Sequence, residues 1–131
     1  MSFNIRLSNE EVFLINILFK DTKLASSDFK NLNLKRLIYI SSSHLMIPSL
    51  YVNLKKKGIL DLFPKDFIDY IKEIYKLNKD RNKFLIKEIK DIHRLFYKNN
   101  LTYVFIKGSA NIISGIYEDL GERMTGDIDI L

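Results

Sequence analysis

The chain of 131 residues is 47% hydrophobic and 28% charged, a composition typical of one ordinary globular domain or part of one. It contains no cysteine, which excludes a disulfide framework and a cysteine-ligated zinc site and fits a reducing cytoplasm. The first residues show no secretory signal, and no apolar run approaches the roughly 20 residues that a membrane span needs. The sequence therefore predicts a cytoplasmic protein without a membrane partner.

The formal net charge of +5 comes mostly from lysine. Over residues 65–98 the lysines recur among acidic residues, as on a solvated helix face. The triplet at residues 55–57 stands just before Gly58 and has two interpretations. It can end a helix whose negative dipole end it opposes, with Gly58 as the residue after the cap, or it can bind nucleic acid or a polyphosphate. Capping alone explains a single triplet, so we favour it.

The first clear helix signal starts at Ser8. Ser8 and Glu11 have the spacing of a capping box, in which each side chain accepts a hydrogen bond from the other residue's backbone N–H. This predicts a helix that runs through about Phe19. A polar, loop-like stretch over residues 21–28 follows, and residues 32–42 are then expected to form a second helix with its apolar side chains directed inward.

A third helix is predicted to start at Pro48. Proline suits the first helical position, because the N–H that it lacks would have no partner there. This helix should run to Lys57 and bury Leu50, Tyr51 and Leu54.

From Pro64 the pattern is helical almost to Asn99, with apolar residues at three- and four-residue steps. The interval 78–83 is polar, so the alternatives are one long helix and two helices with a break there. We favour a single helix. Asn99 and Asn100 should end it, because asparagine tolerates the left-handed conformation that follows many helices.

The last thirty residues carry the features with chemical meaning. Residues 101–107 form an apolar, β-branched and aromatic run of strand length, which stops at a turn made by Gly108 and Ser109. Residues 110–117 then predict a short helix. The segment from Asp127 to Leu131 alternates polar and apolar side chains as a strand does. Asp127 and Asp129 should therefore project from one face of it.

In these residues the chain resembles the polymerase-β-like nucleotidyltransferase superfamily. The shared pattern is an apolar strand, Gly-Ser, a helix and a strand with Asp-x-Asp, here Gly108-Ser109 and Asp127-Ile128-Asp129. The chain is most similar to the branch called the uncharacterised nucleotidyltransferase family. That branch has a Lys-Gly turn, an aromatic residue ending the helix, an arginine and Asp-Ile-Asp-Leu-Leu, and this sequence supplies Lys107-Gly108, Tyr117, Arg123 and Asp127-Ile128-Asp129-Ile130-Leu131. A helix that ends at His44 and is followed by Pro48 is similar to the helical N-terminal region of the same branch.

The resemblance implies transfer of an NMP unit from an NTP to an unknown acceptor, with two Mg²⁺ ions held by Asp127 and Asp129 as catalytic and metal-binding residues. Gly108 and Ser109 would bind the β- and γ-phosphates, and Lys107 and Arg123 are candidate phosphate contacts. For Lys107 an ordinary solvent-exposed cation is an equal alternative. In the superfamily a third carboxylate from a later strand completes the metal site. This chain ends before such a strand, so we expect it to be an incomplete N-terminal portion.

Two other functions stay open: a non-catalytic, antitoxin-like binding module, and a basic helical nucleic-acid binder. The predicted fold is α+β and predominantly helical, with a helical region over residues 1–100. Residues 101–131 would start a nucleotidyltransferase-like mixed sheet, and the whole would form one compact unit. An unfinished sheet edge could drive self-association.

Overall fold

The computed structural model describes residues 6–21, 24 and 26–131, with the backbone alone at Ser26. The expectation about a secretory signal falls mainly on residues 1–5, outside the described part, as do three positions of the predicted 21–28 loop. The described elements confirm a predominantly helical α+β fold. They are α1 Asn9–Phe19, α2 Leu34–Ser43, α3 Ile47–Lys56, α4 Lys65–Lys98, β1 Phe105–Ile106, α5 Lys107–Ile113 and β2 Asp129–Ile130, with 3₁₀ turns at Ser26–Phe29 and Leu60–Leu62.

Backbone proximity divides the chain into two units, Met1–Lys72 and Glu73–Leu131. Most of α4 belongs to the second of these units. The predicted division into residues 1–100 and 101–131 within one compact unit stays a prediction. None of the helices in the described part of the chain is long and apolar enough to cross a membrane.

In the first unit, polar side chains fix the start of α1 and join it to α2. The capping box is confirmed: Ser8 N–H donates to Glu11 Oε2 at 2.7 Å, and Glu11 N–H donates to Ser8 Oγ at 3.3 Å. Glu10 is buried and accepts a hydrogen bond of 2.9 Å from Asn33 N–H. That hydrogen bond, helped by the charge of Arg36, holds the pKa of Glu10 below its ordinary value although burial opposes it.

The core of this unit is apolar and aromatic. Helices α1, α2 and α3 contact one another, and their fully buried side chains include Ile17, Leu37, Leu50 and Leu54. Four phenylalanine rings pack at centroid distances between 5.4 and 6.1 Å, namely Phe13, Phe29, Phe63 and Phe67. The predicted burial of Leu50, Tyr51 and Leu54 is confirmed.

Both ends of α3 follow from its sequence. Pro48 is the second residue of the helix and not the first as predicted, but it still lies in the turn where an N–H has no helical acceptor. At the other end Gly58 has a φ of 67° and donates to Lys55 O at 3.0 Å, while Ile59 N–H donates to Leu54 O at 3.2 Å. This pattern is a Schellman cap, so the predicted position of Gly58 after the cap is confirmed, with Lys55 and Lys56 in the last turn of the helix.

The prediction of a single helix across the polar interval is confirmed by α4, which runs through 34 residues. It ends as predicted at its asparagines. Asn100 has a left-handed φ of 54°, and Leu101 N–H donates to Phe96 O at 3.0 Å, which closes the helix end.

The terminal strands are shorter than predicted. Only Phe105–Ile106 and Asp129–Ile130 form strands, paired antiparallel with Phe105 opposite Ile130 and Ile106 opposite Asp129. Val104 and Leu131 extend the pairing by two backbone hydrogen bonds of 2.8 and 2.9 Å. The prediction of a strand over residues 101–107 is wrong in extent. Before the strand, the Tyr103 ring packs edge-on against Phe96 of α4 at a centroid distance of 5.0 Å.

The short helix between the strands is also displaced from its predicted position. It spans Lys107–Ile113 and not residues 110–117, so Gly108 and Ser109 lie in its first turn. Ser114 is its C-cap, and Gly115 follows with a left-handed φ of 73° that ends the helix before Tyr117.

Candidate functional site

Lys107, Asp127 and Asp129 form the centre of the candidate site. Lys107 Nζ lies 2.8 Å from Asp129 Oδ1, with 70% of the lysine side chain and 22% of the aspartate side chain exposed. The hydrogen bond to Asp129 and the charge of that carboxylate raise the pKa of Lys107, and the charge of Asp127 raises it further. Lys107 and Asp129 therefore form an ion pair at the surface of the site.

The backbone of Lys107 has an uncommon conformation. Its φ of 52° lies in the left-handed region, which costs a non-glycine residue on the order of 1 kcal/mol. The residue stands between β1 and α5, where the chain turns sharply from strand to helix. This turn places the lysine side chain at β2, beside Asp129.

Ser109 holds Asp129 by its backbone. Its side chain is completely buried, and its Oγ accepts a hydrogen bond of 3.1 Å from Asp129 N–H. The same hydroxyl lies within donating distance of two carbonyl oxygens, 2.7 Å from Ile106 O and 3.0 Å from Asp129 O. Ser109 thus joins α5 to both strands, and its contribution to phosphate binding stays a prediction.

Gly108 lies against Thr125 in the segment that leads to Asp127. A Cβ added at Gly108 would lie 3.0 Å from Thr125 Cγ2, so the absence of a side chain permits this close approach. Thr125 is itself buried. The predicted approach of a phosphate to the Gly108 backbone is untested, whereas the approach of Thr125 is a feature of the fold.

The loop before Asp127 is held by amide and guanidinium groups of α4. We call Asn78, Arg81 and Asn82 the α4 clamp. Asn78 Nδ2 donates to Gly121 O at 2.8 Å and to Arg123 O at 3.0 Å. Asn82 Nδ2 donates to the carbonyls of Leu120 and Arg123 at 2.7 and 2.8 Å, and Arg81 Nη2 donates to that of Gly126 at 2.8 Å. Four carbonyls of one loop are therefore fixed immediately before the Asp-x-Asp segment.

A second polar group anchors the start of the same loop. Tyr75 Oη lies 2.8 Å from Asp119 Oδ2, and Lys79 Nζ lies 3.2 Å from Asp119 Oδ1. Gly121 N–H also donates to Asp119 Oδ1 at 2.8 Å. Burial acts to raise the pKa of Asp119, but the hydrogen bonds from Gly121, Tyr75 and Lys79 together outweigh it and the net pKa is lowered. Asp119 is thus an ionised anchor.

The carbonyl oxygen of Arg123 accepts hydrogen bonds from both asparagines of the α4 clamp. Its side chain is exposed. The guanidinium group makes none of these anchoring contacts, so its predicted role at a phosphate is neither supported nor excluded.

Magnesium is a hard cation that proteins often bind with one or two carboxylates, completed by water and substrate phosphates. Among the described residues no group of three or more His, Cys, Asp or Glu side chains could hold a metal ion. Asp129, with its Oδ1 2.8 Å from Lys107 Nζ, supplies one carboxylate of that kind. A shared metal site of Asp127 and Asp129 stays a prediction.

The sequence patterns missed the α4 clamp and the Asp119 anchor. A signal was present: Asn78 and Asn82 interrupt the apolar face of a helix at a spacing of four residues, and both are buried there. A buried amide needs hydrogen-bond partners, so this pair pointed to a backbone segment packed on α4. It did not indicate which segment.

The family comparison covers most of this arrangement. The model of the family described as uncharacterised nucleotidyltransferase matches residues 30–131, which include α4, the α4 clamp and the Asp-x-Asp segment. The chain belongs to this nucleotidyltransferase family. No curated protein and no solved structure showed a significant match. The acceptor of this nucleotidyltransferase family member and its self-association stay predictions.

Proposed function

We propose that the chain binds a nucleoside triphosphate together with Mg²⁺ and supports transfer of its NMP unit to an acceptor hydroxyl. In that transfer the acceptor oxygen forms a bond to the α-phosphorus, the bond between the α-phosphorus and the bridging oxygen breaks, and pyrophosphate leaves. Bound divalent ions would favour ionisation of the acceptor hydroxyl and neutralise the leaving oxygens. Family membership and the ion pair that joins Lys107 to Asp129 of the Asp-x-Asp segment support this proposal.

Each residue of the site has a proposed task. Asp127 and Asp129 hold the metal, and Ser109 keeps Asp129 in place through its backbone N–H. Lys107 and Arg123 contact phosphate oxygens, and Gly108 allows the backbone to come close to them. The superfamily resemblance implies that a third carboxylate would complete the donor set.

Isothermal titration calorimetry with ATP in the presence of Mg²⁺ tests the proposal. The wild type should bind, while Asp127→Asn and Asp129→Asn should each weaken binding by tenfold or more, on the order of 1.4 kcal/mol or greater. Asp91→Asn is the matched control, because Asp91 is an exposed acid whose contact is with Arg94 on the same helix. Equal binding by all four proteins would overturn the proposal and favour a non-catalytic binding module.

One observation favours a second candidate function, the binding of a nucleic-acid backbone. Between residues 76 and 98 the sequence has eight Lys or Arg against three Asp or Glu. Most of these cations recur at steps of three and four residues, which places them along one side of α4: Lys76, Lys79, Lys83, Lys87, Lys90, Arg94 and Lys98. This row of side chains is the basic face of α4.

Fluorescence anisotropy with single-stranded RNA at several salt concentrations tests the second function. If the basic face binds phosphates, log K should fall linearly with log salt, with a slope of about −0.7 per phosphate contacted. The double variant Lys87→Glu/Lys90→Glu should lose binding and flatten the slope. Lys35→Glu, an exposed change on α2, serves as the control. RNA affinity that does not change with salt concentration would contradict this second function. So would an equal loss of RNA affinity in Lys35→Glu.

A further inference from the structure

Lys107 carries a further inference, which rests on the proposed role of Asp127 and Asp129 as metal ligands. Its left-handed backbone, with a φ of 52°, brings its ammonium to 2.8 Å from Asp129 Oδ1. Uncommon backbone conformations of this kind occur preferentially at ligand-binding and switch sites. The ion pair joins residues 22 positions apart, unlike the lysine–aspartate pairs within one helix such as Lys83 with Asp80.

An ammonium and a divalent cation compete for such a carboxylate pair. Mg²⁺ binds oxygen at about 2.0 to 2.1 Å, which would bring it within a few ångströms of an ammonium bonded to the same carboxylate. Charges at that distance repel, and the repulsion doubles when one of them is divalent. The Lys107 side chain is 70% exposed, so its ammonium can leave Asp129 without disturbing buried neighbours.

We propose that Lys107 is an exchangeable counter-ion of Asp127 and Asp129, which gives way to a divalent cation and then contacts the triphosphate that binds with the cation. Exchange of this kind weakens the binding of metal in the absence of nucleotide. It strengthens the combined binding of metal and nucleotide, because the displaced ammonium gains a phosphate partner. The two ligands are then coupled, and each raises the affinity for the other by the same factor.

Titration with MnCl₂ in the absence of nucleotide, followed by the electron paramagnetic resonance signal of free Mn²⁺, tests the exchange. Lys107→Met keeps the length of the side chain and removes its charge. We expect this variant to bind Mn²⁺ about three- to tenfold more tightly than the wild type. Lys83→Met is the matched control, since Lys83 lies 2.9 Å from Asp80 in a comparable exposed ion pair outside the site. Its affinity for Mn²⁺ should not change.

Two more variants separate charge from backbone conformation. Lys107→Gly removes the charge and also relieves the left-handed strain, so it should show the same gain in Mn²⁺ affinity and remain folded. Lys107→Arg keeps a positive charge and should keep the wild-type affinity. The double variant Lys107→Met/Asp129→Asn should lose the gain, because the carboxylate that the metal needs is then gone.

In the presence of nucleotide, the effect of Lys107→Met on metal binding should have the opposite sign. With ATP present, Lys107→Met should bind the Mn²⁺–ATP complex more weakly than the wild type, because the phosphate contact is lost. A lysine with only a structural role would leave nucleotide-free Mn²⁺ binding unchanged, and so would a lysine that always contacts phosphate. Unchanged, weaker or undetectable Mn²⁺ binding by Lys107→Met overturns the exchange.

The two proposals fail separately in this design. If ATP does not bind but Lys107→Met gains Mn²⁺ affinity, the displacement of Lys107 by the metal holds, whereas its contact with a triphosphate and the proposed nucleotide function both fail. If ATP binds with Mg²⁺ as proposed, but Lys107→Met and the wild type bind Mn²⁺ equally without nucleotide, the exchange alone fails.

Discussion

The two units of the chain are stabilised by different kinds of contact. In Met1–Lys72 the fully buried residues that join the helices are mainly apolar, among them Leu37, Leu50 and Leu54. In Glu73–Leu131 a fully buried asparagine, Asn82, joins α4 to a loop by hydrogen bonds. Apolar burial is non-directional and tolerates small shifts, whereas hydrogen bonds weaken steeply as their angle departs from linear. The second unit therefore fixes the position of its loop backbone more closely, as a binding site requires.

The largest effect is expected in the apolar unit. Leu54→Ala removes a fully buried side chain and should destabilise the protein by about 2 to 5 kcal/mol, through lost burial and the cavity that remains. Hydrogen exchange followed by mass spectrometry should show faster exchange over α3. The ATP affinity of the protein that remains folded should not change. A selective loss of protection in the 119–126 loop would contradict the separation of the two kinds of contact.

A smaller effect on stability, with a larger effect on the site, is expected at the α4 clamp. Asn82→Ala removes donations to Leu120 O and Arg123 O and should cost about 1 to 3 kcal/mol. The cost is limited because Asn82 Oδ1 is buried without a donor among the described residues, and the substitution removes that unpaired atom. Exchange should accelerate in residues 119–126, and ATP affinity should fall.

Asn99→Ala is the matched control for Asn82→Ala. The Asn99 side chain also donates to a carbonyl, that of Leu95 at 2.7 Å, but the contact is exposed at the end of the same helix. Its loss should change stability by no more than about 0.5 kcal/mol and leave the loop protected. If both variants behave alike, the amides of α4 do not position the loop.

The smallest effect is a difference in acid sensitivity between the two units. The folded-state pKa of Asp119 is lowered below its ordinary value of 3.8, so its contribution to stability is complete above pH 3.8 and disappears as pH falls through the folded-state pKa. Glu10 contributes in the same way above its ordinary value of 4.5, through the hydrogen bond from Asn33. Denaturant titrations from pH 7 to 2 should therefore show less loss of stability in Asp119→Asn and in Glu10→Gln than in the wild type.

The onset of that loss distinguishes the two acids. As pH falls, the stability that the wild type loses through Glu10 should begin to disappear near pH 4.5, and Glu10→Gln should not show this loss. The stability that it loses through Asp119 should begin to disappear nearer pH 3.8, and Asp119→Asn should not show that loss. Identical pH profiles for the wild type and Asp119→Asn would show that the Asp119 anchor is not formed in solution.

Features governed by near neighbours in sequence could be predicted. The capping box at Ser8, the cap at Gly58, the long amphipathic helix and its asparagine end all depend on contacts within about six residues. Each has a residue type with a specific local role. For the same reason the apolar face of α3 was predicted correctly, since three- and four-residue steps along a helix share one side.

Features governed by distant partners could not be predicted. Strand β1 is shorter than the apolar run because only Phe105 and Ile106 are paired in the sheet, and that register joins residues 23 and 25 positions apart. The start of α5 at Lys107 requires a left-handed lysine, which no residue preference suggests. The contacts of Asn82 cross 38 and 41 residues of sequence.

The candidate site shows the same division. The sequence assigned Lys107, Asp127 and Asp129 to one site, and the structure places Lys107 Nζ 2.8 Å from Asp129 Oδ1. The sequence alone could not show that Ser109 is buried and hydrogen-bonded to Asp129 N–H, because that contact depends on how β2 pairs with β1. The metal and phosphate roles of all these residues stay predictions.

Gly121 sets how closely the loop can approach α4. A Cβ built at this position would lie 2.5 Å from Tyr75 Cε2 and 3.0 Å from Lys79 Cβ. Even the alanine side chain would clash with Tyr75, so the tyrosine ring or the loop would have to move. A single methyl group at Gly121 would thus lengthen several hydrogen bonds between α4 side chains and loop carbonyls, and so loosen the loop that leads to Asp127 and Asp129.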